Sequence, residues 1–458
     1  METILELFKR RVNQLGPRPA LWYKQEGSWE HQSWKEWWEQ AERVAAGLIE
    51  RGLEPHEPVC ILAQTRIEWA WIDLGIWMAG GFVVPIYPTS RPEECRHILD
   101  EVGARFAFVE NPSQLDKIAD AASMEHMVYL ERAAALPGGD WKGRHQVRLE
   151  DLEEGDAERA VSFDELSYEG RRRIADDHRF VATRRNAVSY DDLATVVYTS
   201  GTSGVPKGVE HTQGGLRAEL AAIAELDLIG PDDRQLLFLP LAHIFARILF
   251  LSSLATASQV AFAESLSKTV ANIAEVRPEF VAGVPRVFEK IREELIAESE
   301  RLFGPNTTVW ERAFRRGRLF SQKQRKGQDL GPLERLELKL YERLVFERVK
   351  RVFGGNIQYL FCGGAPLRAE LAEFYHAMGL LVLEGYGLTE TAAVSTLNLP
   401  DDFRFGSVGK PLPNVEVTID EDGEILVRGP MVMRGYYDRP ELTRETVESD
   451  ESWFHTGD

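Results

Sequence analysis

The run YTSGTSGVPKG, residues 198–208, combines Thr and Ser hydroxyls, three glycines and one lysine directly after an apolar stretch at 193–197. Such a run offers backbone N–H groups and hydroxyls to an anion, and glycine lets the main chain approach it closely. That is phosphate chemistry. The spacing departs from a nucleotide-hydrolase P-loop, because Pro206 stands where that loop needs glycine before its lysine. A P-loop also opens directly into a helix, whereas residues 209–211 read as extended chain and a helix can begin only at Thr212. The run therefore predicts a loop between two strands, and the hydrolase reading is disfavoured.

Four more clusters carry groups suited to the same chemistry. In PLAHIFAR (240–247), His243 stands in a loop just past a strand, where it can meet a carboxylate or phosphate; a structural histidine bonded to backbone is an equal alternative. Gly363, Gly364 and Ala365 follow a strand, and paired glycines allow flat packing of backbone on a planar ring or simply make a turn. In EGYGLTE (384–390), Tyr386 between Gly385 and Gly387 can stack on a base, and Glu390 is a hard oxygen ligand suited to Mg²⁺; Thr389-Glu390 also reads as a helix start. Asp458 closes the segment WFHTGD (453–458) and can accept hydrogen bonds from two ribose hydroxyls.

The elements that must position these groups are legible in outline. Ser33-Trp34-Lys35-Glu36 is a capping box for a helix burying Trp37, Ala41, Val44, Ala45 and Leu48 and ending near Gly52. Short apolar runs at 59–63, 83–86, 106–109, 235–239, 260–263, 280–282, 358–361 and 380–383 alternate with helical stretches, the signature of parallel αβ layers. Residues 131–178 lack periodicity and read as surface connections with some short helices. From about 405 the texture becomes all-β, with alternating Val415, Val417 and Ile419, an Asp422-Gly423 turn, then Ile425 and Val427. The fold class expected is α/β: two αβ-layered subdomains with largely parallel sheets over about 1–400 and a small β-barrel-like subdomain over about 405–458.

Composition excludes several function classes. The chain has 458 residues and a net charge of −19, which speaks against nucleic acid as a partner. Cys60, Cys95 and Cys362 fit no metal or disulfide pattern and read as buried thiols of a reducing, cytoplasmic compartment. The N-terminus lacks a secretion signal, and the longest apolar run (74–87) contains Gly80, Gly81 and Pro85, so it reads as helix, turn and strand rather than a bilayer span. Within a helical, charged stretch at 287–351, seven basic residues fall between Arg312 and Lys326. They are either a solvated helix face or a patch for anionic lipid or a polyanionic co-substrate.

Taken together and in order, YTSGTSGVPKG, GYGLTE and WFHTGD resemble the adenylate-forming enzymes, over essentially the whole chain. LPLAHIFAR (239–247), GVPRVFEKI (283–291) and the basic helical stretch resemble long-chain fatty acyl-CoA synthetases in particular. The resemblance implies attack of a fatty-acid carboxylate on the α-phosphorus of ATP, then transfer of the acyl group from AMP to coenzyme A. By resemblance, Thr199, Ser200, Gly201, Thr202, Ser203, Gly204 and Lys207 hold the β- and γ-phosphates. Thr199 and Glu390 ligate Mg²⁺. Gly363, Gly364 and Ala365, with Glu384, Gly385, Tyr386 and Gly387, enclose adenine. Thr389 contacts the α-phosphate, Asp458 the ribose, and His243 steers the acyl carboxylate. Some relatives carry a gating tryptophan where Arg247 stands here, so that gate is in doubt. The family also has a small C-terminal domain with a catalytic lysine beyond the Thr-Gly-Asp motif. This chain stops before it, so slow adenylation and scant thioester formation are expected. A homodimer and peripheral contact with the inner face of the membrane are compatible with the sequence. The alternatives are an acyl- or aryl-adenylating enzyme that loads a carrier protein, and a non-catalytic nucleotide- or acyl-binding protein.

Overall fold

The computed structural model describes residues 2–130, 159–199, 206–303, 308–447 and 453–458. Two large sheets organise them. One has nine strands in the spatial order Lys410–Pro411, Thr396–Leu397, Leu381–Tyr386, Tyr359–Cys362, Phe280–Gly283, Arg234–Leu237, Gln259–Phe262, Pro19–Gln25 and Ser28–Ser33. Its centre, from Leu381–Tyr386 to Pro19–Gln25, is parallel throughout. The other has eight: Gly435–Tyr436, Lys207–Thr212, Leu193–Thr199, Phe82–Pro85, Pro58–Leu62, Phe106–Val109, His126–Tyr129 and Ala160–Ser162. It is parallel from Leu193–Thr199 onward. Parallel strands need long crossovers, and helices supply them. The central strands are four- or five-residue apolar runs buried on both faces, which is why they read as continuous rather than alternating patterns.

Two helices are apolar all round and correspondingly buried. Glu68–Met78 links two strands of the eight-stranded sheet, and Ile244–Thr256 links two strands of the nine-stranded sheet. Their contact joins the two layers into one core. Thr65 adds a second tie: its hydroxyl donates to the Leu239 carbonyl at 2.6 Å and accepts the Leu241 N–H at 3.2 Å. The capping box holds as read, with the Ser33 and Glu36 side chains exchanging backbone hydrogen bonds at the start of helix Trp34–Glu50. The three cysteines are free and buried.

Two expectations need correction. Part of 131–178 is regular: Ala160–Ser162 extends the eight-stranded sheet, and Ser162 caps a helix, Phe163–Asp176. Its closest approach to helix Trp34–Glu50 is made by Gly170, where an added Cβ would lie 2.0 Å from the Arg43 carbonyl. A helix that packs through glycine carries little apolar signal. Residues 131–158 of that stretch lie outside the described residues. The region after 405 is also not all-β, since helix Pro440–Thr446 interrupts it. Among the described residues its strands Glu416–Ile419, Ile425–Arg428 and Phe454–His455 form one open antiparallel sheet and close no barrel. Among the described residues, no helix is long and apolar enough to cross a membrane.

Candidate active site

The phosphate-type loop joins two strands, as its sequence requires. Leu193–Thr199 and Lys207–Thr212 pair antiparallel, with Thr199 opposite Lys207 and Tyr198 opposite Gly208. Ser200, Gly201, Thr202, Ser203 and Gly204 lie outside the described residues. The loop's base is anchored on both sides: the Tyr198 hydroxyl donates to Glu101 at 2.6 Å, and a Cβ on Gly208 would come within 2.7 Å of Val196. Lys207 Nζ stands 5.5 Å from the centre of the Tyr436 ring, and the Tyr436 hydroxyl donates to Glu390 Oε1 at 2.9 Å. Burial, together with the Glu390 carboxylate, pushes the Tyr436 phenol up, so it remains a donor. The lysine at the loop is thus linked through one aromatic ring to the carboxylate that the sequence nominates for a metal.

Glu390 sits in a short 3-10 turn, Thr389–Thr391, entered through Gly385 and Gly387. A Cβ on Gly387 would lie 2.2 Å from the Ala393 carbonyl, so the chain doubles back tightly there. Tyr386 donates its hydroxyl to Asp458 Oδ2 at 2.8 Å, which brings those two predicted residues together. Glu384 lies against the glycine turn with which the resemblance groups it. It is buried and accepts the Leu367 N–H at 2.8 Å, holding the turn through Gly363, Gly364 and Ala365 against the end of strand Leu381–Tyr386. Burial raises its pKa. Gly364 adopts φ +76, and Ala365 is exposed beside it.

Two site-bracing residues were missed. His211, on the strand leaving the phosphate loop, is 1% exposed and bonds through Nε2 to the Thr389 carbonyl at 2.7 Å. That contact makes Nε2 the donor, and Nδ1 has no partner among the described residues. Burial depresses its pKa to about 4. Glu219, on helix Gln213–Glu225, is also 1% exposed, with both carboxylate oxygens lacking a hydrogen bond of good geometry. Burial raises its pKa well above the usual range, against a weaker pull from the Val394 backbone. Thr389 and Val394 belong to the same segment, so both side chains support it from behind. The only sequence signal was two ionisable residues at inward positions, His211 in a strand and Glu219 in an apolar helix.

His243 caps helix Ile244–Thr256, its Nδ1 accepting the Phe245 N–H at 3.2 Å. Nε2 therefore carries the proton and is the free donor. The ring reaches solvent but is walled by protein, and this desolvation lowers its pKa. It stands at a cavity of about 230 Å³. Gly363, Gly364, Gly385, Gly387 and Thr389 line that cavity together with apolar residues, Leu226, Ile229, Leu249 and Leu397 among them. Helix geometry puts Leu249 about 9 Å along the axis from His243. Arg247, one turn on, does not enter this cavity. It is 1% exposed and binds Asp73 Oδ1 at 2.6 Å and Thr195 Oγ1 at 2.9 Å, over the Trp77 ring.

Among the described residues, no group of three or more His, Cys, Asp or Glu side chains could hold a metal. Glu390 does retain one carboxylate oxygen that Tyr436 does not engage. A single hard oxygen suits Mg²⁺, which takes most of its ligands from phosphate and water.

Comparison with known proteins gives the family and the fold. Residues 8–437 match the family model described as "AMP-binding enzyme". The long-chain-fatty-acid–CoA ligase FadD15 of Mycobacterium bovis is 32% identical over 94% of this chain and 68% of its own length. The human long-chain-fatty-acid–CoA ligase ACSBG1 is 30% identical over 100% of this chain and 62% of its own. The chain thus spans about two thirds of the curated relatives it matches. Among solved structures, the N-terminal domain of FACL13 from Mycobacterium tuberculosis superposes with a TM-score of 0.70 at 21% identity, covering 100% of this chain and 96% of that one. That likeness establishes the fold.

Proposed function

The chain belongs to the AMP-binding enzyme family, and we propose that it serves the ATP-dependent activation of a long-chain fatty acid, to acyl-adenylate and then acyl-CoA. AMP-binding enzymes use ATP and coenzyme A, and the relatives named above are long-chain-fatty-acid–CoA ligases. The observation that carries the reading is the shared cavity. Its lining combines glycines and a threonine suited to adenine and phosphate with His243 and with apolar residues, Leu226, Ile229 and Leu249 among them.

The chemistry follows from those positions. The acyl chain lies along helix Ile244–Thr256, whose N-terminal end faces the carboxylate; unpaired N–H groups and the helix dipole favour an anion there. His243, neutral and donating from Nε2, orients one carboxylate oxygen, leaving the other to attack phosphorus. Thr389 donates to the α-phosphate. The loop 199–207 and Lys207 hold the departing pyrophosphate. Tyr386 packs on adenine against Gly363, Gly364 and Ala365, with Asp458 on the ribose. Thr199 and Glu390 hold Mg²⁺, which when bound screens the phosphate charge as the carboxylate approaches. Neutral His243 suits this step, because it orients the carboxylate through a hydrogen bond without protonating the nucleophile.

Calorimetric titration of the chain with non-hydrolysable acyl-sulfamoyl adenosines tests the assignment. Affinity should rise as the acyl group lengthens from C8 to C16, and the benzoyl analogue should bind at least tenfold more weakly than the C16 compound. Equal affinity for benzoyl and C16 analogues would refute the fatty-acid reading.

A further inference from the structure

One helical surface has no role in the site described. Helices Thr308–Arg325 and Pro332–Tyr341 lie antiparallel, joined by Arg316 to Glu337 at 2.5 Å and Lys323 to Glu334 at 2.6 Å. These pairs consume the acids on the inner side of the second helix. Its outer side carries Leu333, Leu336, Leu340 and Leu344, exposed by 81%, 67%, 54% and 46%. The spacing of three and four places them on one face, continued by the π turn Glu342–Phe346. Four large exposed leucines in one row are far from the scattered apolar residues of an ordinary surface.

Charge says what covers this row. Between 308 and 350 the chain has twelve basic and six acidic residues, although its net charge is −19. Lys339 and Arg343 are exposed beside the leucines, on the flank opposite Glu334 and Glu337, and make no ion pair among the described residues. Exposed Arg312 and Arg315 on the neighbouring helix are likewise unpaired. A second copy of this chain would present the same cations to them. A water-soluble partner would leave the leucines unexplained unless it were both acidic and apolar.

We propose that this helix pair docks on an anionic lipid surface, with Leu333, Leu336, Leu340 and Leu344 in the acyl boundary and Lys339 and Arg343 at the head groups. An amphipathic helix with cations beside its apolar row binds through both terms at once. The inference stands on this surface alone and is independent of the proposed activity.

The test is co-sedimentation of the full chain with phosphatidylcholine vesicles containing 30% phosphatidylglycerol, beside vesicles of pure phosphatidylcholine. Binding is expected to the mixed vesicles, with at least a tenfold weaker partition to the neutral ones and in half-molar salt. The pair Leu336→Ser and Leu340→Ser, at exposed positions, should weaken partition at least tenfold, as should Lys339→Glu with Arg343→Glu. Thermal unfolding of both pairs should match the unsubstituted chain. Failure to sediment with mixed vesicles overturns the proposal, as does sedimentation indifferent to both variants. Concentration-dependent dimerisation abolished by the serine pair, with no vesicle binding, assigns the surface to a second copy instead.

Discussion

Replacing Asp73 by asparagine leaves the Arg247 guanidinium charged inside the core. The two residues are 1% exposed each, and Nη2 lies 2.6 Å from Oδ1. At an effective dielectric of about 20, unit charges about 3 Å apart attract by about 5 kcal/mol. Removing one partner of such a pair costs about 3–5 kcal/mol, a large share of a domain's whole stability. Arg247→Met strands the carboxylate instead. Burial already presses the Asp73 pKa upward and only the guanidinium opposes it, so without Arg247 the carboxyl takes a proton. For a group that ionises near 3.9 when unfolded, holding that proton at pH 7 costs about 4 kcal/mol, falling by about 1.4 kcal/mol for each unit of acidification. The loss in Arg247→Met should therefore shrink as pH falls from 7 to 4, while that in Asp73→Asn should not. Asp73→Leu with Arg247→Met removes both charges and should return stability to within about 1 kcal/mol of the original, or raise it. Urea denaturation followed by tryptophan fluorescence measures all four species, and Trp77 lies beneath the guanidinium as a local probe. Single substitutions that each cost under about 1 kcal/mol and add in the double variant would show that the pair is not electrostatically coupled.

Two further substitutions probe the cavity and its support. Glu219→Gln should stabilise the protein at pH 7. The native carboxyl holds a proton that the unfolded chain releases above about pH 4.5, so the original chain loses stability as pH rises through that range. The advantage should decline by about 1.4 kcal/mol per pH unit on acidification and vanish near pH 4.5 in denaturation series; a pH-independent difference refutes the buried protonated carboxyl. Leu249→Trp, about 9 Å along the helix from His243, should weaken binding of a C16 acyl-adenylate analogue more than tenfold and of a C4 analogue less than twofold; equal losses would place the chain elsewhere.

What was legible from sequence was what local chemistry encodes. The loop between paired strands, and a helix start no earlier than Thr212, followed from Pro206 and the extended run after it, and the central strands from their unbroken apolar runs. His243, Thr389 and the glycines at 363, 364, 385 and 387 do meet at one cavity. What stayed hidden depends on partners distant in the chain. Arg247 could be read only as a departure, because Asp73 lies 174 residues away. Glu384 entered only by resemblance, and its bond to the Leu367 N–H, 17 residues away, could not be read from the motif itself. His211 falls at an inward position of its strand, but its partner, the Thr389 carbonyl, is 178 residues away. Helix Phe163–Asp176 was obscured because glycine makes its closest contact.

The bond from His211 to the Thr389 carbonyl has a mechanical consequence. Lys207 and His211 lie on one paired strand, so the base of the glycine-rich loop and the segment bearing Thr389 are fastened to the same stiff rod. The span between them is therefore set by the fold, and a ligand bridging it, as the proposed function requires, would lose little ordering entropy there. With a pKa of about 4, His211 also keeps one protonation state throughout the neutral range, so the fastening does not loosen as pH drifts.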